Sequence, residues 1–191
     1  MEMGGTMKRL LLLINLGFIY ACLMIGFVWS LGWATTVKAV NTHELVKASH
    51  VVVTGTIMSN ETVWDPGPTN VRTLTTIKVD GTLKGKVETE VIVTGMGGIV
   101  GDLAYHWPGV PRFKEGEEVL LFLEIHPRGE RTVVGLEQGR FTIRTDKKGK
   151  KFITRNLADL TLVGGSPNSI FQAGKMPLKD YLEEVRTLTN E

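Results

Sequence analysis

The run Val119-Leu120-Leu121-Phe122-Leu123 limits the possible folds of this chain more than any other stretch. Five consecutive apolar residues rich in strand formers are too few for a helix of their own. A strand points its side chains alternately to two faces, so this one must be covered on both, as a central strand of a buried sheet. Pro108 and Pro111 stiffen the approach, because each fixes its own φ and restrains the residue before it. Lys114-Glu115-Gly116-Glu117 then turns the chain, with Gly116 free to take a positive φ.

Other strand signals flank this one. Residues 51–58 place Val51, Val53, Gly55 and Ile57 on one face, and Gly55 in mid-strand predicts a bulge or sharp bend. Residues 60–70, with Trp64-Asp65-Pro66-Gly67-Pro68, read as a turn-rich loop. Residues 71–80 alternate strictly, with Val71, Thr73, Thr75, Ile77 and Val79 on one side, and residues 87–94 form the next strand. Residues 131–136, 139–145 and 150–154 continue in β fashion, the last two joined by the hairpin loop Asp146-Lys147-Lys148-Gly149. Residues 156–162 give no clear period, and 163–176 read as a linker or irregular wrap.

Two helices bracket the strands. Asn41 can cap a short helix over residues 41–49, with Glu44 reaching back as in a capping box. Pro177 suits a first helical turn, and Leu178, Tyr181, Leu182, Val185 and Leu188 form one stripe at helical spacing. Closely spaced short strands leave no room for helical crossovers. The predicted fold is therefore mainly all-β: an OB-like, five- or six-stranded antiparallel barrel over residues 41–160, with a linker at 161–176 and an amphipathic helix at 177–191.

Before this domain, Lys8-Arg9 and the uncharged residues 10–36 form an export signal with a positive leading region. Small residues at Gly32 and Ala34 favour cleavage after Ala34. The apolar run 10–33 is also long enough to span a bilayer core of about 30 Å, so a retained anchor is the alternative. The expected location is extracellular or at the cell surface, with membrane contact only through this segment.

Charge and cysteine usage narrow the function. Beyond the leading segment the chain carries 20 basic and 19 acidic residues, a balance that gives no electrostatic case for nucleic acid. Lys147-Lys148-Gly149-Lys150-Lys151 fits a solvated hairpin tip. The only cysteine, Cys22, lies in the apolar leading run, so the exported part has no disulfide, thiolate nucleophile or thiolate metal site. Its hydrophobic core must stabilise it unaided.

No complete catalytic or cofactor motif is present, and no cofactor is expected. His43-Glu44 lacks the second histidine of HExxH, since Lys47 stands in its place. Gly95-Met96-Gly97-Gly98-Ile99-Val100-Gly101 matches neither GxGxxG nor a P-loop, and no helix follows to hold a phosphate. Asp102 and His106 are the nearest approach to a metal site, but one His-carboxylate pair falls short of the three or four ligands zinc needs. Asn60-Glu61-Thr62 matches a glycosylation sequon.

Taken together, several blocks resemble a largely uncharacterised family of exported bacterial β-domains, sometimes found beside matrixin-type metalloprotease domains. They are Leu45-Val46, Val51-Val52-Val53-x-Gly55, Trp64, Thr75, Leu83-Lys84-Gly85 and Gly97-Gly98, then Pro108-Gly109-x-Pro111-x-Phe113-x-x-Gly116-Glu117 and Gly135-x-x-Gln138-Gly139-x-Phe141. The resemblance covers about residues 43–143. A remoter likeness is to the netrin-like fold of tissue inhibitors of metalloproteinases, an OB-type barrel. Those inhibitors bind the target zinc through an N-terminal cysteine. The exported part of this chain has none, so the resemblance implies the fold and not that mechanism.

The expected function is non-catalytic binding outside the cell. The partner is an exported protein, such as a protease, ahead of a polysaccharide. Exposed aromatics in the proline-stiffened loop and its neighbour supply the contact candidates: Trp64, Tyr105, His106, Trp107 and Arg112. Two alternatives stand beside it. One is a metal-assisted hydrolase using His106 and Asp102, with His50 or His126 from another loop; the other is a structural component of the cell envelope.

Overall fold

The computed structural model describes Leu13 and residues 35–64, 71–164 and 174–191. The chain divides into two compact units, Met1–Trp33 and Ala34–Glu191. The expected export segment lies outside the described residues apart from Leu13, as do the turn after Trp64 and most of the expected linker. Among the described residues no helix is long and apolar enough to cross a membrane.

The second unit contains twelve strands and two helices in the described residues. In chain order these are β1 (Thr35–Lys38), α1 (Thr42–Ala48), β2 (Val51–Trp64), β3 (Val71–Lys84), β4 (Glu90–Met96), β5 (Gly98–Val100) and β6 (Leu103–Tyr105). They continue with β7 (Glu118–Ile125), β8 (Arg131–Val133), β9 (Arg140–Thr145), β10 (Lys151–Thr154), β11 (Leu160–Val163), β12 (Met176–Pro177) and α2 (Leu178–Thr189). Eight strands form one antiparallel sheet in the order β12-β10-β9-β7-β2-β3-β4, with β8 also paired to β7. Strands β5 and β6 make a separate hairpin, and β1 lies parallel to β11.

The apolar run of β7 occupies the centre, and Val119 to Leu123 are fully buried. Leu120 and Phe122 join Val52, Phe141 and Ile153 beneath the helices, against Leu45 and Val46 of α1 and Tyr181 and Val185 of α2. Val119, Leu121 and Leu123 face the other way, with Val51, Val53, Ile57, Ile77, Val91, Val93 and Val133. That second cluster unites β4 with β7 and β8, although β2 and β3 lie between β4 and β7 in the sheet order. The sheet must therefore curl until β4 shares one core with β7 and β8.

It stops short of the expected closed barrel. Among the described residues no hydrogen-bonded ladder joins β4 to β8. A cleft of about 570 Å³ opens there, lined by Arg72, Val93, Met96, Glu124, Glu130 and Thr132. The sheet also has more strands than the five or six expected.

Local chemistry explains the elements. The capping box forms as predicted: Asn41 Oδ1 accepts from Glu44 N–H at 2.8 Å, and Glu44 Oε2 accepts from Asn41 N–H at 3.0 Å. At Gly55 the β2–β3 register shifts, and a Cβ there would strike the Lys78 carbonyl oxygen and lie 2.8 Å from Ile77 Cγ2. The 146–149 turn is held by Asp146 Oδ1, which accepts from Lys148 and Lys150 N–H at 2.8 and 2.9 Å.

Several expected boundaries move. Strand β2 runs on to Trp64, through residues read as loop, because Thr62 and Val63 keep pairing with β3. The strand expected over 131–136 ends at Val133: Gly135 and Leu136 take φ of 64° and 62°, a left-handed pair that no strand tolerates. Strand β4 starts at Glu90 rather than Val87. Residues 156–162, without a clear period, end in β11, whose partner β1 is more than a hundred residues away in sequence.

Candidate functional site

Beyond Thr56, β2 leaves its partner β7 and continues with β3 alone. This projecting end carries the candidate site. Gly97 N–H donates to the Val71 carbonyl at 2.9 Å, which bends the chain after β4 and lays the β5–β6 hairpin over β2 and β3. Gly98, at φ 144°, lies so close to Thr62 and Thr73 that a Cβ would stand 2.6 Å from both side chains. A Cβ at Gly97 would strike the Tyr105 carbonyl oxygen and lie 3.2 Å from Trp107 Cδ1. The glycines that superficially suggested a phosphate loop thus serve close backbone packing.

The hairpin and the 110–113 segment enclose a groove of about 270 Å³ over a floor of Asn60, Thr62, Thr73 and Thr75. The floor's polar atoms bond one another or the backbone. Thr75 Oγ1 donates to Asn60 Oδ1 at 2.8 Å, Thr73 Oγ1 donates to the Gly97 carbonyl at 2.7 Å, and the Thr62 and Thr73 hydroxyls lie 3.5 Å apart. Asn60 Nδ2 donates to the Phe113 carbonyl at 3.2 Å, so the sequon's amide is already a tie between floor and wall.

Four of the five contact candidates, Tyr105, His106, Trp107 and Arg112, line this groove. The fifth, Trp64, stands beside it with its ring edge-on to Tyr105, centroids 6.2 Å apart at 72°. Trp64 and Trp107 are 58% and 45% exposed, enough for either to meet a partner directly. The floor was not legible as site residues, because Asn60 and Thr62 meet Thr73 and Thr75 only through the β2–β3 register, and Phe113 joins them only through its carbonyl's bond to Asn60. Alternation did place Thr73 and Thr75 on one face.

The residues of the metal alternative are spread out. Asp102 occupies the exposed turn at the far end of the hairpin and does not line the groove. His50 Nδ1 accepts from Ile125 N–H at 3.2 Å, and His126 pairs with the Thr132 hydroxyl at 3.0 Å, beside the β4–β8 cleft. Among the described residues no three His, Cys, Asp or Glu side chains converge on one point.

A half-buried charge network anchors the wall. Arg140 Nη2 donates to Glu117 Oε2 at 2.7 Å and Nη1 donates to Glu137 at 3.2 Å, while Thr142 Oγ1 donates to Glu117 Oε1 at 2.9 Å. The guanidinium carbon lies 5.2 Å from the centre of the Phe113 ring. Glu137 N–H donates to the Gly109 carbonyl at 2.9 Å, and the Arg112 N–H bonds the Glu137 carboxylate. Both ends of the 109–113 segment are thereby fixed.

Burial pushes the Glu137 carboxyl above its ordinary value, and the Arg140 guanidinium offsets only part of that. A folded pKa raised above the unfolded one favours the folded state below the unfolded pKa, and that contribution is lost as pH rises through the folded pKa. Glu137→Gln removes the titration. The wild-type melting temperature is expected to gain on the variant's as pH falls from neutrality toward about 4.3. Paired melts across that range check the sign; a wild-type disadvantage that grows on acidification would contradict it.

No protein-family model matches the chain, and no curated protein matches it.

Proposed function

We propose that this chain is an exported, non-catalytic binding module, and that the groove beneath the β5–β6 hairpin receives an apolar side chain of a partner protein. The observation that carries this reading is the combination of a floor whose polar atoms bond internally and a rim of half-exposed aromatics. Such a floor offers few free hydrogen-bonding groups to a sugar, whereas threonine methyls and aromatic edges suit an apolar anchor. The volume of about 270 Å³ falls below the roughly 300–1,000 Å³ usual for small-molecule sites and fits one or two side chains. Rigidity helps as well: Pro108, Pro111 and the Arg140 network limit the entropy lost on docking.

The finer fold assignment belongs to the same proposal. The curled antiparallel sheet, with a helix before it and a helix after it, is read as a partly open relative of the OB-type barrel. Loops on such barrels commonly carry ligand contacts. The apolar residues 10–33 support export, and the resemblance to exported bacterial domains points the same way. An exported protein, such as a protease, is the partner class favoured.

Capture from the cell-envelope fraction by wild type and by Trp64→Ala/Trp107→Ala tests the groove. Truncating an aromatic anchor typically costs about 2 kcal/mol or more, so the variant is expected to bind the captured partner at least roughly 30-fold more weakly. Equal affinity of two folded forms would exclude this surface. Capture of nothing above background by either form would remove the binding reading itself.

A further inference from the structure

We infer that Arg112 makes the groove selective for an acidic partner segment. The apolar side chain that enters the groove is flanked by an aspartate or glutamate, and the Arg112 guanidinium meets that carboxylate at the rim. The inference rests on the binding role proposed for the groove and names the chemistry of its partner.

The first observation is the sign of the charge around the groove. Among the described residues that line it, Arg112 is the only one of Asp, Glu, Lys or Arg type, and His106 adds a ring N–H donor. Nearby carboxylates point elsewhere or are engaged. Glu61 lies between the floor residues Asn60 and Thr62, and a strand sends alternate side chains to opposite faces. Asp102 sits at the far end of the hairpin and does not line the groove. Glu117 is held by Arg140 and Thr142, and Glu137 by Arg140. The rim is therefore positive, with no acid of its own to neutralise it.

The second observation is how Arg112 is held. Its side chain is exposed, and among the described residues its guanidinium has no hydrogen-bond or ion-pair partner. Arg72, Arg140 and Arg155, by contrast, are each bonded. The backbone of Arg112 is fixed on both sides. Its N–H bonds the Glu137 carboxylate, Pro111 precedes it with a set φ, and the Phe113 carbonyl accepts from Asn60 Nδ2 at 3.2 Å. A fixed backbone thus carries a free cationic fork at the edge of the groove. The planar guanidinium matches a carboxylate through two parallel N–H···O bonds, so it favours an anionic neighbour over a neutral one. A residue next to the anchor has its Cα about 3.8 Å from the anchor's, which keeps its carboxylate within reach of the rim.

The test uses the full chain, isotope-labelled for magnetic resonance in detergent micelles, with blocked tetrapeptides as probes. Ser-Leu-Asp-Ser and Ser-Phe-Asp-Ser are acetylated and amidated, so the aspartate is their only charge, and each is compared with its asparagine counterpart. Binding is read from the amide shifts of Gly97, Gly98 and Tyr105 at the groove. The acidic peptides are expected to bind roughly 3- to 5-fold more tightly than the asparagine ones at low salt, and the gap should close at about 0.5 M salt. Arg112→Gln should bind the two versions alike, while Arg112→Lys keeps part of the preference; thermal melts confirm that both variants stay folded. Equal affinity of the wild type for acidic and neutral peptides overturns the inference and leaves the groove reading standing. A preference that persists undiminished in Arg112→Gln overturns it as well. No shift at those amides with any peptide at about 10 mM overturns the inference and the groove reading together.

Discussion

Replacing Phe122 with alanine is expected to lower the unfolding free energy by about 3–5 kcal/mol, the largest single effect anticipated in this chain. The ring is fully buried on the helix-facing side of β7. It lies 5.9 Å from the Phe141 ring and 6.5 Å from that of Tyr181, and those two are 5.0 Å apart, so three aromatics from β7, β9 and α2 pack as one unit. Removing the member from β7 leaves a cavity that fixed strands on both sides cannot collapse. A domain of ordinary stability, about 5–15 kcal/mol, would lose a large share of it. Denaturant titration reads the change as a shift of midpoint with an unchanged slope. Phe122→Leu keeps most of the buried area and should lose far less. A loss below about 1 kcal/mol for the alanine variant would mean the aromatic unit is not the main stabilising contact between α2 and the sheet.

The core was legible because its signals are local. Val119 to Leu123 announced a strand buried on both faces, and the structure distributes those five residues between two clusters. The Asn41–Glu44 capping box, the stripe of α2 and the interruption at Gly55 also depend on residues within one turn or one ladder step. What the sequence concealed is long-range. Pairing of β1 with β11 joins two four-residue strands, each too short to show a period. The end of β8 depends on the positive φ of Leu136, which no propensity for leucine foretells. At Trp64 the turn residues that follow were visible, but they were given too much reach. β-branched Thr62 and Val63 extend the ladder up to the tryptophan itself.

The candidate site divides along the same line. Its rim lay in a loop marked by glycine, proline and aromatic residues, where solvent-facing side chains are the natural reading. The floor is built from alternate residues of two strands whose register is set by bulges at three places along β2. A shift of one residue would turn Asn60, Thr62, Thr73 and Thr75 to the other face. Which side chains close the groove is therefore a property of the register, and no reading of one strand alone could supply it.

Gln138→Leu is expected to cost about 2 kcal/mol or more and to loosen the start of the domain selectively. Gln138 is 2% exposed and its amide makes three bonds to backbone. Oε1 accepts from Val40 N–H at 2.9 Å, while Nε2 donates to the Lys38 carbonyl at 3.1 Å and to the Gly135 carbonyl at 3.3 Å. Strand β1 pairs with no strand of the main sheet, so this side chain is a principal tie between the two. Leucine is a sharper test than alanine. Its bulk fills the space and keeps water from replacing the lost amide, so the Val40 donor and the Lys38 and Gly135 acceptors lose a partner without replacement. Hydrogen exchange should report the change as local opening, with the amides of Ala39 and Val40 exchanging much faster while those of β7 slow or quicken only with global stability. Loosened pairing of β1 with β11 would also free Thr35 from Pro108. Unchanged exchange at Ala39 and Val40, together with an unchanged melting temperature, would show that β1 is held by its pairing with β11 alone.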